Sequence, residues 1–153
     1  MRLVILLTVI GIVGCDGKRE ARPSPLAAMA KRCAHDEMSC AVPIFNVKSL
    51  RTSQAYFRDA LGFKVEWDYG DPPDFGAVRR GHAAIFMCEQ CQSSPGTWIM
   101  TFTENVDRLH AEFVKRGAII KMAPTNMEWN IREMHVADHD GNVIRFGSPI
   151  EHE

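Results

Sequence analysis

Glu133, His135 and Arg145 are the residues of this chain best placed to do chemistry together. Glu133 and His135 stand two apart in the run 131–137, and Arg145 lies in the run 143–147, after the turn Asp138-His139-Asp140-Gly141-Asn142. Both runs read as strands, where alternate residues share a face. Met134, Val136, Ile144 and Phe146 make one face apolar, which turns Glu133, His135 and Arg145 onto the other. A carboxylate or imidazole beside a fixed guanidinium can serve as a general base next to a group that steadies an enolate or carboxylate. The same side chains can equally form a structural ion pair between Glu133 and Arg145, with His135 an ordinary partnered polar residue. The residue types leave both readings open. Glu66 and Asp68, on an earlier strand, read either as an acidic rim or as a solvated face, and His110 and His152 read as exposed.

The cysteines are the second chemical group. Cys88-Glu89-Gln90-Cys91 is a CxxC, and Cys33 and Cys40 stand ahead of it. These four allow three disulfide connectivities. A redox CxxC opens a helix, whereas Gln92-Ser93-Ser94-Pro95-Gly96 is loop chemistry, so structural disulfides are the favoured reading over a metal site or a redox pair.

These groups need elements to position them, and the elements are regular. A strand over 41–47 is followed by a helix that Ser49 caps, with Leu50, Phe57 and Leu61 at helical spacing and Gly62 at its end. Phe63, Val65 and Trp67 alternate with polar residues through 63–69. Asp71-Pro72-Pro73-Asp74 is a turn, and strands over 75–80 and 83–88 join at Gly81-His82. The order then repeats: a strand over 97–103, a helix capped by Asn105 with Val106, Leu109, Phe113 and Val114 on one face, Gly117, then strands over 118–121, 131–137 and 143–147. Two tandem βαβββ units make this an α+β chain with an internal repeat.

The chain has 153 residues, enough for one domain, and its 46% hydrophobic and 24% charged residues are those of a globular protein. The formal net charge is −1. That balance offers no electrostatic case for nucleic acid as a partner. Residues 1–14 begin with Met1-Arg2 and continue as an apolar run over 3–13, too short to span a bilayer, which needs about 20 residues. Ile12-Val13-Gly14-Cys15 resembles the bacterial lipobox, which implies a signal peptide over 1–14 and lipidation at Cys15. Asp16 resembles the signal that retains lipoproteins at the inner membrane, so the expected location is exported, lipid-anchored and on the periplasmic face of that membrane. Residues 15–40 read as a flexible tether and 41–153 as the folded domain.

Three segments carry a resemblance to a known family. Tyr56-Phe57-Arg58-Asp59-Ala60-Leu61-Gly62-Phe63 is similar to "FYRDVLGF", Val106-Asp107-Arg108-Leu109 with Arg116-Gly117-Ala118 matches a second helix, and residues 129–142 are close to "WGxREFxVxDPDGN". In this order and spacing they resemble the glyoxalase/bleomycin-resistance/dioxygenase (vicinal oxygen chelate) superfamily, and its bleomycin-resistance branch in particular. Asn130 departs from that branch's glycine and His139 from its proline; asparagine tolerates a left-handed backbone.

The resemblance implies a cupped mixed sheet with helices on its outer face, and in catalytic members a divalent ion in the cup. Counting along the strands, the matching ligand positions are Val42, Ile85, Trp98 and Arg145, none of which can bind a cation. No metal and no other cofactor is therefore expected. The cup lining implied by strand parity is Ile44, Asn46, Trp98, Met100, Phe102, Glu133, His135 and Arg145, with Trp129 at the mouth. This points to a metal-independent binding protein for a small molecule, an antibiotic or other aromatic ligand, with a homodimer as the family expectation. The alternatives are a metal-independent lyase- or isomerase-type enzyme using Glu133 or His135 with Arg145, and an interaction module whose cup is closed. In the branch that sequesters cationic drugs, Glu133, Glu66 or Asp68 would meet the positive charge, whereas Arg145 prefers an anion.

Overall fold

A computed structural model describes residues 41–150. The leader, Cys15, the tether with Cys33 and Cys40, and His152 lie outside the described residues. The elements are β1 (Ile44–Val47), α1 (Leu50–Asp59), β2 (Lys64–Gly70), β3 (Pro73–Arg80), β4 (Ala83–Glu89), β5 (Trp98–Phe102), α2 (Val106–Lys115), β6 (Ile119–Asn126), β7 (Ile131–Ala137) and β8 (Val143–Pro149). They form two four-stranded mixed sheets, β1-β4-β3-β2 and β5-β8-β7-β6. β1 runs parallel to β4 and β5 parallel to β8, and the other pairs are antiparallel. The duplicated βαβββ order is as the sequence predicts.

Helix ends follow their local chemistry. Ser49 Oγ accepts from the Thr52 amide, and Asn105 Oδ1 from the Arg108 amide at 2.8 Å. Glu89 adds a carboxylate oxygen to the Leu50 amide at 2.9 Å, placing negative charge at the start of α1. Gly62 and Gly117 follow the two helices at φ of 68° and 76°, a left-handed backbone that glycine enters without steric cost.

One apolar core lies under both helices and draws on both modules. Phe45, Val47, Leu50, Phe57, Val78, Ile85 and Met87 meet Val106, Phe113, Met134, Val136, Ile144 and Phe146 there. Tyr56 bolts the modules together. Its hydroxyl donates to the Ala137 carbonyl and accepts from the Ile119 amide, each at 2.8 Å. Burial pushes this phenol above its ordinary pKa. Arg80 reaches across as well, to Glu112 of α2, and donates to the Leu61 carbonyl within its own module.

Several expectations need correction. Val114 is exposed, so the buried face of α2 is Val106, Leu109 and Phe113. β3 begins inside the expected turn, and β6 runs on to Asn126. Ile85 belongs to the core under the helices; the residues of β4 on the opposite face are Ala84 and Phe86. In β2 the pairing with β3 shifts between Val65 and Trp67, and this bulge breaks the strand's parity. Phe63 stays in the core, while Trp67 packs on Phe75 and Phe86 on the far side of the sheet. Asp68 lies on the helix side, held by Gln54 and Arg51 of α1 at 2.6 Å each.

Candidate ligand-binding site

The second sheet presents the predicted cluster on the face turned away from the core. In β7 and β8 the pairing is unbroken, so parity holds: Met134, Val136, Ile144 and Phe146 are buried under the helices. Glu133, His135 and Arg145 are on the other side, with His135 directly opposite Arg145 and Arg145 opposite Met100 of β5. Trp98, Met100 and Phe102 alternate on that same face.

Glu133 is the centre of the arrangement. Its residue is 0% exposed. Oε1 accepts from Trp129 Nε1 at 2.7 Å, and Oε2 accepts from Arg145 Nη2 at 2.6 Å and Nε at 3.0 Å. Burial pushes this carboxyl up, but the hydrogen bonds and charge of Arg145, with the bond from Trp129, outweigh it and leave the pKa below the ordinary value. The His135 Nε2 atom is buried without a hydrogen bond, 3.6 Å from Glu133 Oε2. The Arg145 guanidinium lies 5.9 Å from the Trp129 ring centre, and Trp98 meets the His135 ring edge to face at 5.4 Å. Above this polar floor the aromatics are open to solvent: Trp98 is 59% exposed, Phe102 68% and Trp129 51%.

Two residues of the site escape a reading by type. Ile131 and Gly147 share this face; a β-carbon on Gly147 would sit 2.8 Å from both the Ile131 and the Met100 side chains. A glycine inside a strand is the available signal for such a close approach. Asn130 has φ of 61°, the left-handed backbone its residue type accepts, and it sets the turn that brings Trp129 over the sheet.

Asn46 is not brought to this cluster. It belongs to the first sheet, where its amide donates to the Gln92 and Ser93 carbonyls at 3.2 Å. The loop it holds is closed by a disulfide between Cys88 and Cys91, and leads into Thr97 and β5. Beside the site, a groove of about 530 Å³ opens between the modules, lined by Val42, Pro43, Ala84, Ile99 and Met100 among others.

The positions matching the superfamily's metal ligands do not fit a cation. Val42 and Ile85 carry no donor atom, Trp98 offers only an indole N–H, and Arg145 carries a positive charge that is already bonded to Glu133. Among the described residues no group of three or more His, Cys, Asp or Glu side chains is placed to hold a metal ion. Among the same residues no helix is long and apolar enough to cross a membrane.

Comparison with known proteins agrees with this architecture. The bleomycin-binding protein of Streptomyces verticillus, solved with copper(II)-bleomycin, superposes with a TM-score of 0.58 at 26% identity, over 71% of this chain and 93% of that one. TnmS3, an antibiotic-binding protein from Streptomyces sp. CB03234, gives 0.63 at 22% identity, over 75% and 99%. TioX from Micromonospora sp. ML1 gives 0.64 at 14% identity, over 72% and 98%. A search of curated proteins finds no match. The family model for the Glyoxalase/Bleomycin resistance protein/Dioxygenase superfamily matches residues 39–146, and the chain belongs to that superfamily.

Proposed function

We propose that this chain is a non-catalytic binding protein that holds a planar aromatic small molecule, an antibiotic or a similar compound, on the open face of its second sheet. One observation carries the reading: Trp98, Phe102 and Trp129 stand exposed around a buried Glu133 whose two carboxylate oxygens are bonded to Trp129 and Arg145. Exposed aromatics cost solvation and mark a surface meant to be covered. That TnmS3 is an antibiotic-binding protein and that the Streptomyces verticillus protein binds bleomycin supports a ligand of this kind. The geometry speaks against Glu133 as a general base, since both its oxygens already accept hydrogen bonds and its pKa is lowered.

In this reading a second copy covers the open face and completes the cup, as three large aromatics exposed on one face support. The leader and Cys15 support export and a lipid anchor, and Asp16 supports the periplasmic face of the inner membrane.

The test is calorimetric titration of the full chain with an uncharged planar probe, naphthalene-2-carboxamide. Saturable binding that is lost in Trp98→Ala is the expected result. Binding that Trp98→Ala leaves unchanged, or none at millimolar probe, removes the open face as a ligand site.

A further inference from the structure

We infer that the site selects aromatic acids, planar rings carrying a carboxylate, over aromatic cations; this rests on the reading of the open face as a ligand site. The strand carboxylates that residue type offers to a cation, Glu133, Glu66 and Asp68, are already engaged. Glu133 is buried under Trp129 and Arg145. Glu66 is bonded to Arg79 at 2.8 Å. Asp68 faces α1 on the other side of its sheet, with Arg51 and Gln54 as partners. Glu128, in the turn before Trp129, is exposed, and a solvated side chain contributes little charge selectivity.

Arg145 is in the opposite position. It is fixed by two bonds to Glu133, yet its side chain is 32% exposed, and Nη1 has no hydrogen-bond partner among the described residues. A guanidinium held this way offers a charge-assisted donor to an incoming carboxylate at little further cost in side-chain entropy. The His135 ring, on the facing strand, borders the same floor, its Nε2 turned inward 3.6 Å from Glu133 Oε2. The Trp129 ring, which could otherwise stack on a ligand cation, already has the Arg145 guanidinium against it. A second cation there meets like charge. The aromatic body of the ligand then lies against Trp98 and Phe102 while its carboxylate reaches Arg145.

The experiment titrates the full chain by calorimetry with 2-naphthoate, naphthalene-2-carboxamide and 2-naphthylmethylammonium. The acid is expected to bind at least about tenfold more tightly than the ammonium, as one charge-assisted hydrogen bond implies, with the amide between them. Removing Arg145 alone strands a buried carboxylate, so the informative variant is the double change Glu133→Gln with Arg145→Gln, its fold checked by thermal melting. In it the acid's affinity is expected to fall to that of the amide. Glu128→Gln is expected to leave the order unchanged. Equal affinities, or an ammonium that binds best, overturn the selection for acids while binding of the amide leaves the ligand site standing. Failure of all three probes overturns both.

Discussion

The two sheets have the same strand order and the same helix against one side, yet they treat their other sides in opposite ways. In the first sheet Trp67, Phe75 and Phe86 pack on one another with ring centres 5.1 to 5.7 Å apart, and Trp67 is only 8% exposed. In the second sheet the corresponding side carries Trp98, Phe102 and Trp129, all more than half exposed, over an ion pair of a buried Glu133 and a partly exposed Arg145. A repeated backbone therefore does not oblige its two copies to share a task. Aromatics that satisfy one another stabilise the chain, and exposed aromatics spread over a polar floor contribute much less to that stability.

The sharpest way to break this comparison is to truncate one tryptophan from each sheet. Trp67→Ala is expected to cost about 3–5 kcal/mol in chemical denaturation, the range for emptying a large aromatic from a packed site. A loss below about 1 kcal/mol would mean that the first sheet's cluster is as loose as the second sheet's surface, and the contrast would fail.

Next in size is the polar floor. Arg145→Ala is expected to destabilise by about 3 kcal/mol or more, because it leaves the Glu133 carboxylate buried with Trp129 as its one strong donor. The same pair sets a pH dependence. The folded pKa of Glu133 lies below its unfolded value, so its contribution is present above the ordinary carboxylate range and is lost as pH falls through and below that range. Glu133→Gln should flatten this part of the acid limb in a stability–pH profile. An unchanged acid limb would show that the pair does not govern it.

Smaller again is the clasp at the entrance to β5. Cys91→Ser opens the four-residue Cys88–Cys91 ring, which loop entropy values at about 2 kcal/mol. The loss should sharpen the comparison by being local: hydrogen exchange is expected to rise in residues 90–97 and at the Asn46 contacts, with the Trp67 cluster protected as before. Equal loosening of both sheets would argue against a local clasp.

The second sheet was more legible in the sequence than the first, and the reason is register. Pairing between β7 and β8 is continuous, so counting by twos places Glu133, His135 and Arg145 on one side and Met134, Val136, Ile144 and Phe146 on the other. In β2 a bulge between Val65 and Trp67 defeats the same count, and with it the placement of Asp68. The side that Ile85 takes is not legible in the sequence, because β4 is apolar on both faces and offers no alternation to count. The role of Asn46 depends on carbonyls more than forty residues away, and nothing local announces it. The indole bond from Trp129 to Glu133 is likewise a product of the left-handed turn at Asn130, which residue type permits but does not require.

The smallest effect on stability belongs to the residue with the largest proposed role. Trp98 is more than half exposed, so Trp98→Ala removes far less buried surface than Trp67→Ala and is expected to change unfolding free energy by no more than about 1 kcal/mol. The same change should abolish binding of an aromatic probe, because stacking on an exposed ring is what the site offers. Stability and binding are thereby separated at one position, which Trp67 cannot do. If Trp98→Ala instead destabilises the chain as Trp67→Ala does, then Trp98 is covered in solution by something that stabilises the fold. Repeating the denaturation at several protein concentrations decides whether that cover is a second copy, since the stability of a dimer rises with concentration and that of a monomer does not.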